Sequence, residues 1–394
     1  MGDLLLTGAH LWGHDSPADI LVRAGVVDAI GSGLDPSGAD VEDVAGRLVL
    51  PGLVEAHCHL DKTLFGGPWV PHSAGDALAE RIHNDRTRRH ELGLPDPDRA
   101  TALLTQMVAA GTTQVRSHTD IDPEVGLRGV EAVRAAAERM AGRVTVQQVA
   151  FPQHGLVSNP GTADLLAAAL EAGVETVGGI DPAGLDGDPV GQLDIVFGLA
   201  ERFGVGVDIH LHDGGSLGAW ELGLVAERTK ATGLAGRVAV SHAYAFGDLS
   251  DGQQGRLADL LADAGVAIVT GAVYDFPVPP VKRLRAAGVT VATGHDGIRD
   301  LWGPYGSGDM LDRAMHLAYR STFRRDEDIE LALHAATYGG AKVLGVEPYG
   351  LAVGAPADLV VVGAGSAAEA VVTRPVRDLV VKAGRVVARA GELV

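Results

Sequence analysis

The sequence predicts an α/β fold, a (β/α)8 TIM barrel joined to a small β-sandwich built from both termini. Three observations lead to it. Short β-rich runs that end in polar residues alternate with alanine-rich amphipathic segments through the middle of the chain. Both ends read instead as short strands broken by glycine and proline. Histidines collect at the predicted carboxyl ends of the central strands, where a barrel places its chemistry.

In chain order, strands are expected at Asp3–Gly8, Ile20–Arg23, Gly25–Ile30 and Arg47–Leu50, and again at Asp358–Val362, Val371–Thr373, Asp378–Lys382 and Arg385–Ala388. Neither set can bury two faces alone. Together they make one sandwich from residues 1–50 and 345–394, because chain termini often lie close in space. The barrel then spans residues 51–344. Its strands are expected at Val54–His59, Thr113–His118, Val144–Phe151, Thr176–Ile180, Gly206–His210, Ala239–His242, Ala267–Thr270 and Thr290–Gly294. Helical periodicity marks Val130–Met140, Thr162–Ala172, Leu193–Phe203, Leu257–Ala264 and Val281–Ala287. Gly66–Pro97 is long for a connection and carries a helical stretch, Ala74–Glu91. A loop of that kind covers the catalytic face. Arg86, Arg88 and Arg89 on it read as a solvated helix face.

Composition narrows the function. Of 394 residues, 46% are hydrophobic and 21% charged, enough for a large core and too apolar for wholesale disorder. The net charge of −19 argues against nucleic acid and anionic membranes as partners, since both need clustered Lys and Arg. Cys58 is the single cysteine, which excludes an intrachain disulfide and a cysteine-based zinc ribbon. No apolar run reaches the roughly 18 residues of a membrane span, and no signal pattern opens the chain, so a cytoplasmic protein is expected.

The candidate chemistry begins at His57-Cys58-His59. Residues i and i+2 of a strand share a face, so both imidazoles can reach one metal ion while Cys58 points into the wall. His118, His154, His210, His212, His242 and His295 also sit at or just past strand ends. His57, His59, His210 and Asp296 together offer three neutral nitrogens and one carboxylate, the ligand set of a hydrolytic metal site. His295 should face the other way from Asp296 and serve packing or support. His118 and Asp120 line the site or pair with each other, and His154 is a rim residue. Lys62 is either an exposed strand-end lysine or a substrate contact. Phe65, Trp69, Tyr274, Phe276, Trp302 and Tyr305 fit a flat ring, or simply a barrel rim.

Pro51–Asp61 resembles the first-strand signature of the amidohydrolase superfamily. The likeness continues in register with His210 after the fifth strand, Ser241-His242 after the sixth and Gly294-His295-Asp296 after the eighth. Val149–Gly155 and Trp302–Gly306 are similar to segments of the cytosine deaminase group, which also includes N-isopropylammelide amidohydrolase. The resemblance implies one divalent metal, zinc or ferrous iron, held by His57, His59, His210 and Asp296. It gives His242 a contact with hydroxide and substrate, Gln153 a hydrogen bond to the heterocycle, and Asp213 the proton shuttle. It also implies a homo-oligomer.

Three departures bear on the substrate. Asp213 stands where cytosine deaminases carry glutamate, with a second histidine, His212, beside it; either can carry the shuttle. Gly297 replaces an aspartate that helps hold pyrimidines. Lys62 replaces a threonine. No lysine lies near the fourth strand end to bridge two metals, and only Asp181 could substitute there, so a mononuclear site is expected. The implied reaction is hydrolytic attack by metal-bound hydroxide on a ring carbon bearing an amino or alkylamino group, with Asp296 accepting a proton from the water. Asp213 or His212 protonates the leaving nitrogen. Ring opening of a cyclic amide, as in dihydroorotases, is the alternative hydrolysis, and a ligand-binding barrel without catalysis is the remote one.

Overall fold

A computed structural model of the protein describes residues 3–75 and 78–394. Eight parallel strands form the barrel: Leu53–Cys58, Thr112–Asp120, Thr145–Phe151, Thr176–Ile180, Gly206–Leu211, Val238–His242, Val266–Thr270 and Val291–Thr293. These are the expected strands, with ends shifted by one or two residues. Each is buried or nearly so, as a sheet covered by helices requires. The helices follow local signals. Asp188 accepts the Gly191 N–H and Pro189 starts Pro189–Phe203; Ser250 and Gln253 form a capping box that opens Asp251–Ala264. Both helices therefore begin several residues before the periodic segments that mark them.

The terminal strands meet in a nine-stranded sheet. Leu48–Pro51 pairs with Leu4–Leu11 on one side and with Leu359–Val362 on the other, so both chain ends share one structure. Leu6, Ile20, Val22, Val49, Leu359 and Val381 make its separate apolar core. One strand here lies outside the expected set, and one expectation needs correction. Asp40–Asp43 is a strand, paired with Leu4–Thr7, although its acidic sequence hides it. Val371–Thr373 is no strand. It ends the helix Ala367–Thr373, which Ser366 caps by accepting the Glu369 N–H and which buries Ala367, Ala370 and Val371. Burial overrode the β preference of Val371-Val372-Thr373. Among the described residues, no helix is long and apolar enough to cross a membrane.

The barrel closes through a narrow seam. Cys58 bridges Asp296, and the Asp296 N–H donates to the His57 carbonyl at 2.9 Å. Gly294 makes the approach possible, since a Cβ there would stand 2.5 Å from both the nitrogen and the oxygen of His57. Beneath the seam the buried Glu55 carboxylate accepts N–H groups from His57 at 3.1 Å and His295 at 3.0 Å, and its other oxygen meets His295 Nδ1. His295 thus faces the seam. Gly294→Ala is expected to cost about 1–3 kcal/mol or more by overpacking and to lower Tm accordingly. Gly198→Ala, in a helix with open space around it, should hold or raise Tm. Equal melting temperatures for Gly294→Ala and the unaltered protein would remove the seam from this description.

Candidate metal centre and active site

The structure brings His57, His59, His210 and Asp296 together, with one ligand atom from each lying within 4.8 Å of the others. His57 and His59 come from one face of the first strand, His210 from the fifth, and Asp296 from the seam after the eighth. Asp296 Oδ1 lies 3.2 Å from His59 Nε2 and 3.5 Å from His57 Nε2. Asp181, His242 and Asp296 have positive φ angles of 33°, 74° and 65°, strain of the kind that collects at functional sites.

The donors suit a divalent cation. Burial, and then the Lys62 charge, push His59 down to about 4. Burial, followed by neighbouring histidines, takes His210 and His242 well below the ordinary imidazole value. Burial opposes the Asp296 charge, but the adjoining imidazoles of His57, His59 and His242 hold that carboxyl well below its usual range. His57 Nε2 and both nitrogens of His210 have no hydrogen-bond partner among the described residues. Imidazoles and a carboxylate that converge in a buried cluster suit a cation. Two further groups, His57–His118–Asp208 and His59–Asp61–Asp120, are also close-packed. Their carboxylates already have cations, Arg116 on Asp208 and Lys62 on Asp120, each at 2.9 Å.

Lys62, Gln153 and Trp302 also meet. Lys62 is buried rather than exposed at its strand end, and its ammonium donates to Asp120 and to Gln153 Oε1. Burial opposes that charge, but Asp120 and Asp61 outweigh it and raise the Lys62 pKa. Burial and Asp120 in turn push the Asp61 carboxyl up to about 7. The Lys62 ammonium stands 5.8 Å from the ring centres of both Phe151 and Trp302. Phe151 stacks on His210 at 4.0 Å, so this group adjoins the histidine cluster.

The two shuttle candidates part company. His212 stacks on His242 at 4.3 Å, and its Nδ1 meets Asp181 Oδ2 at 2.8 Å. Burial disfavours its charge, but Asp181 prevails and raises its pKa. The Asp213 carboxylate accepts the Gly184 N–H at 2.8 Å and pairs with Glu221, which burial pushes up to about 8. His212 engages both Asp181 oxygens, one through its side chain and one through its N–H. Spacing alone pointed to neither the Asp181–His212 pair nor Tyr244, whose ring lies 5.6 Å from His212 and stacks on Phe276. Aspartate at the fourth strand end was the available signal for the pair.

The covering helix runs from Leu78 to Glu91; Asp76 and Ala77 of the expected stretch lie outside the described residues. Its arginines are not merely solvated. Arg89 is buried and donates to Asp122 at 2.9 Å, while Arg86 pairs with Glu124. His154 is no simple rim residue either. It bonds Asp122 at 2.9 Å and faces Asp85 of the helix at 3.7 Å. Burial opposes its charge, yet Asp122 and Asp85 raise its pKa above 6.5.

Geometry and chemistry define a metal-dependent hydrolase built on a TIM barrel. Comparison with known proteins narrows this. Residues 40–388 match the amidohydrolase family. The chain is 33% identical over 396 residues to N-isopropylammelide isopropyl amidohydrolase of Pseudomonas sp. (strain ADP), covering 98% of this chain and 97% of that one. N-isopropylammelide isopropylaminohydrolase from Burkholderia multivorans superposes with a TM-score of 0.96 at 48% identity, over 100% of both chains. 5-Methylcytosine deaminase from Klebsiella pneumoniae superposes at 0.85 with 27% identity, over 98% and 97%. The chain belongs to the amidohydrolase family, and it is a hydrolase of non-peptide carbon–nitrogen bonds.

The raised His154 value sets a pH dependence for the cover. Because the folded value exceeds the unfolded one, its stabilisation is complete below about 6.5 and is lost as pH rises through the folded value. Hydrogen-exchange protection of Leu78–Glu91, corrected for intrinsic rates, should fall over that rise and become flat in His154→Gln. Flat protection in the unaltered protein would contradict this.

Proposed function

We propose that the protein removes an amino or alkylamino group from a nitrogen heterocycle bearing ring oxo groups, an alkylamino-oxo-triazine above all. The observation that carries this reading is the donor set beside the histidine cluster. Lys62 claims Gln153 Oε1, which leaves the Gln153 amide nitrogen as a donor for a ligand. Trp302 Nε1 is buried with no protein partner. An ammonium, an amide N–H and an indole N–H are all donors, so they suit the oxygens and lone pairs of an oxo-azine. The relatives' activities on N-isopropylammelide and 5-methylcytosine support it.

One divalent ion per chain, zinc or ferrous iron, would be held by His57, His59, His210 and Asp296. When bound, it supplies Lewis acidity for activating water. The protein's own groups then handle the protons. Asp296 Oδ2 takes a proton from water as oxygen adds to the ring carbon. His242, neutral and free of protein partners at both nitrogens, steadies the charge that develops on the ring. His212 delivers a proton from Nε2 to the leaving nitrogen while Asp181 holds its Nδ1–H. Phe151 and Trp302 flank Lys62 and limit water. Asp213 joins this reading through the Gly184 loop and Glu221. The resemblance extends it to a cytoplasmic homo-oligomer.

A panel of aminopyrimidines, pterins and alkylaminotriazines, assayed for amine or ammonia release, is expected to give turnover with an oxo-triazine and none after chelation. Turnover of cyclic amides alone would overturn the proposal. His212→Asn is expected to lose about a hundredfold in kcat, the scale of general acid–base catalysis, and Asp213→Asn clearly less, with metal content unchanged in both. The reverse order would return the shuttle to Asp213.

A further inference from the structure

We infer that Asp208, acting through Ser241, sets which nitrogen of His57 carries the proton. His57 Nδ1 lies 2.8 Å from Ser241 Oγ, and Ser241 Oγ lies 2.9 Å from Asp208 Oδ1. Arg116 Nη1 donates to the other carboxylate oxygen, Oδ2, at 2.9 Å. Arg116 is itself held, by Gln147 Oε1 at 2.8 Å and the Val343 carbonyl at 2.9 Å. Asp208 and Ser241 are fully buried, and His210 stands opposite Ser241 in the sheet, so the chain of bonds runs directly under the site.

The directions follow from the inventory of donors. The Asp208 carboxylate only accepts, so the single Ser241 hydroxyl proton must point at it. Ser241 Oγ then has only lone pairs to offer His57, and His57 Nδ1 must donate. A ring that places its single proton on Nδ1 leaves Nε2 bare. That bare nitrogen is the one 3.5 Å from Asp296 Oδ1. Asp208 and Ser241 are positioning residues: they aim the His57 lone pair into the site from two bonds away. The consequence for metal binding rests on the ligand set proposed above; the tautomer does not.

Asp208→Asn gives a sharp test, because Arg116 forces its orientation. The asparagine carbonyl must face Arg116, which puts the amide NH2 against Ser241. Ser241 then accepts there and donates to His57 Nδ1, which drives the proton to Nε2. The readout is the 15N spectrum of metal-free protein with labelled histidine, His57 being assigned by its loss in His57→Asn. The expected result is an Nδ1–H tautomer in the unaltered protein and an Nε2–H tautomer in Asp208→Asn. Ser241→Ala should abolish the fixed preference, and Ser241→Thr, which keeps a hydroxyl, should restore it. This second pair decides the matter if Asp208→Asn does not fold. Zinc affinity from chelator competition should fall about 10- to 100-fold in Asp208→Asn, the usual scale for such supporting groups. An Nε2–H tautomer in the unaltered protein, or no change in any variant, would overturn the inference. The expected tautomers without zinc binding by the unaltered protein would leave the relay standing and remove the metal reading instead.

Discussion

The hydrogen bond from Asp296 N–H to the His57 carbonyl joins the first and last strands of the barrel, and the candidate site is built on that join. Asp296 takes its left-handed backbone at the point of contact, which turns its carboxylate onto His57 and His59. Gly294 leaves room for the two strands to meet, and Glu55 ties His57 and His295 together underneath. Without closure, two ligands from one end of the barrel and one from the other would have no reason to converge. The terminal sheet meets the other end of the same strand, since Leu48–Pro51 runs from it almost directly into the start of Leu53–Cys58.

Electrostatics complete the arrangement. The interior holds several ion pairs that already balance: Lys62 with Asp120, Arg116 with Asp208, Arg89 with Asp122, and His212 with Asp181. The cluster of His57, His59, His210 and Asp296 brings three imidazoles to one carboxylate, with no Lys or Arg ion pair on that carboxylate among the described residues. Burying such a set is costly unless a metal occupies it. The same accounting separates roles among neighbours. His212 has an acid partner and can carry charge, whereas burial and the adjoining imidazoles keep His242 neutral.

The barrel and the convergence of its histidines were legible because strand alternation is rigid. His57 and His59 share a face by simple parity, and strand carboxyl ends must converge once eight units close. Tertiary burial turned Val371–Thr373 from the expected strand into a helix end, and the acidic edge strand Asp40–Asp43 carried no pattern to read. The pairing of His212 with Asp181 depends on how two loops turn beside each other, which no spacing within either loop encodes. The covering helix hid its roles in the same way. Arg89 and Asp85 look like surface charges until the helix docks against Asp122 and His154.

The central claim is that barrel closure assembles one metal site from these four side chains. Anomalous scattering from crystals of the zinc-loaded protein, collected at the zinc edge, tests it most directly. The account predicts one peak per chain, about 2.0–2.2 Å from nitrogens of His57, His59 and His210 and from an Asp296 oxygen. A peak between His59, Asp61 and Asp120, or between His57, His118 and Asp208, or two peaks of equal height, would contradict it.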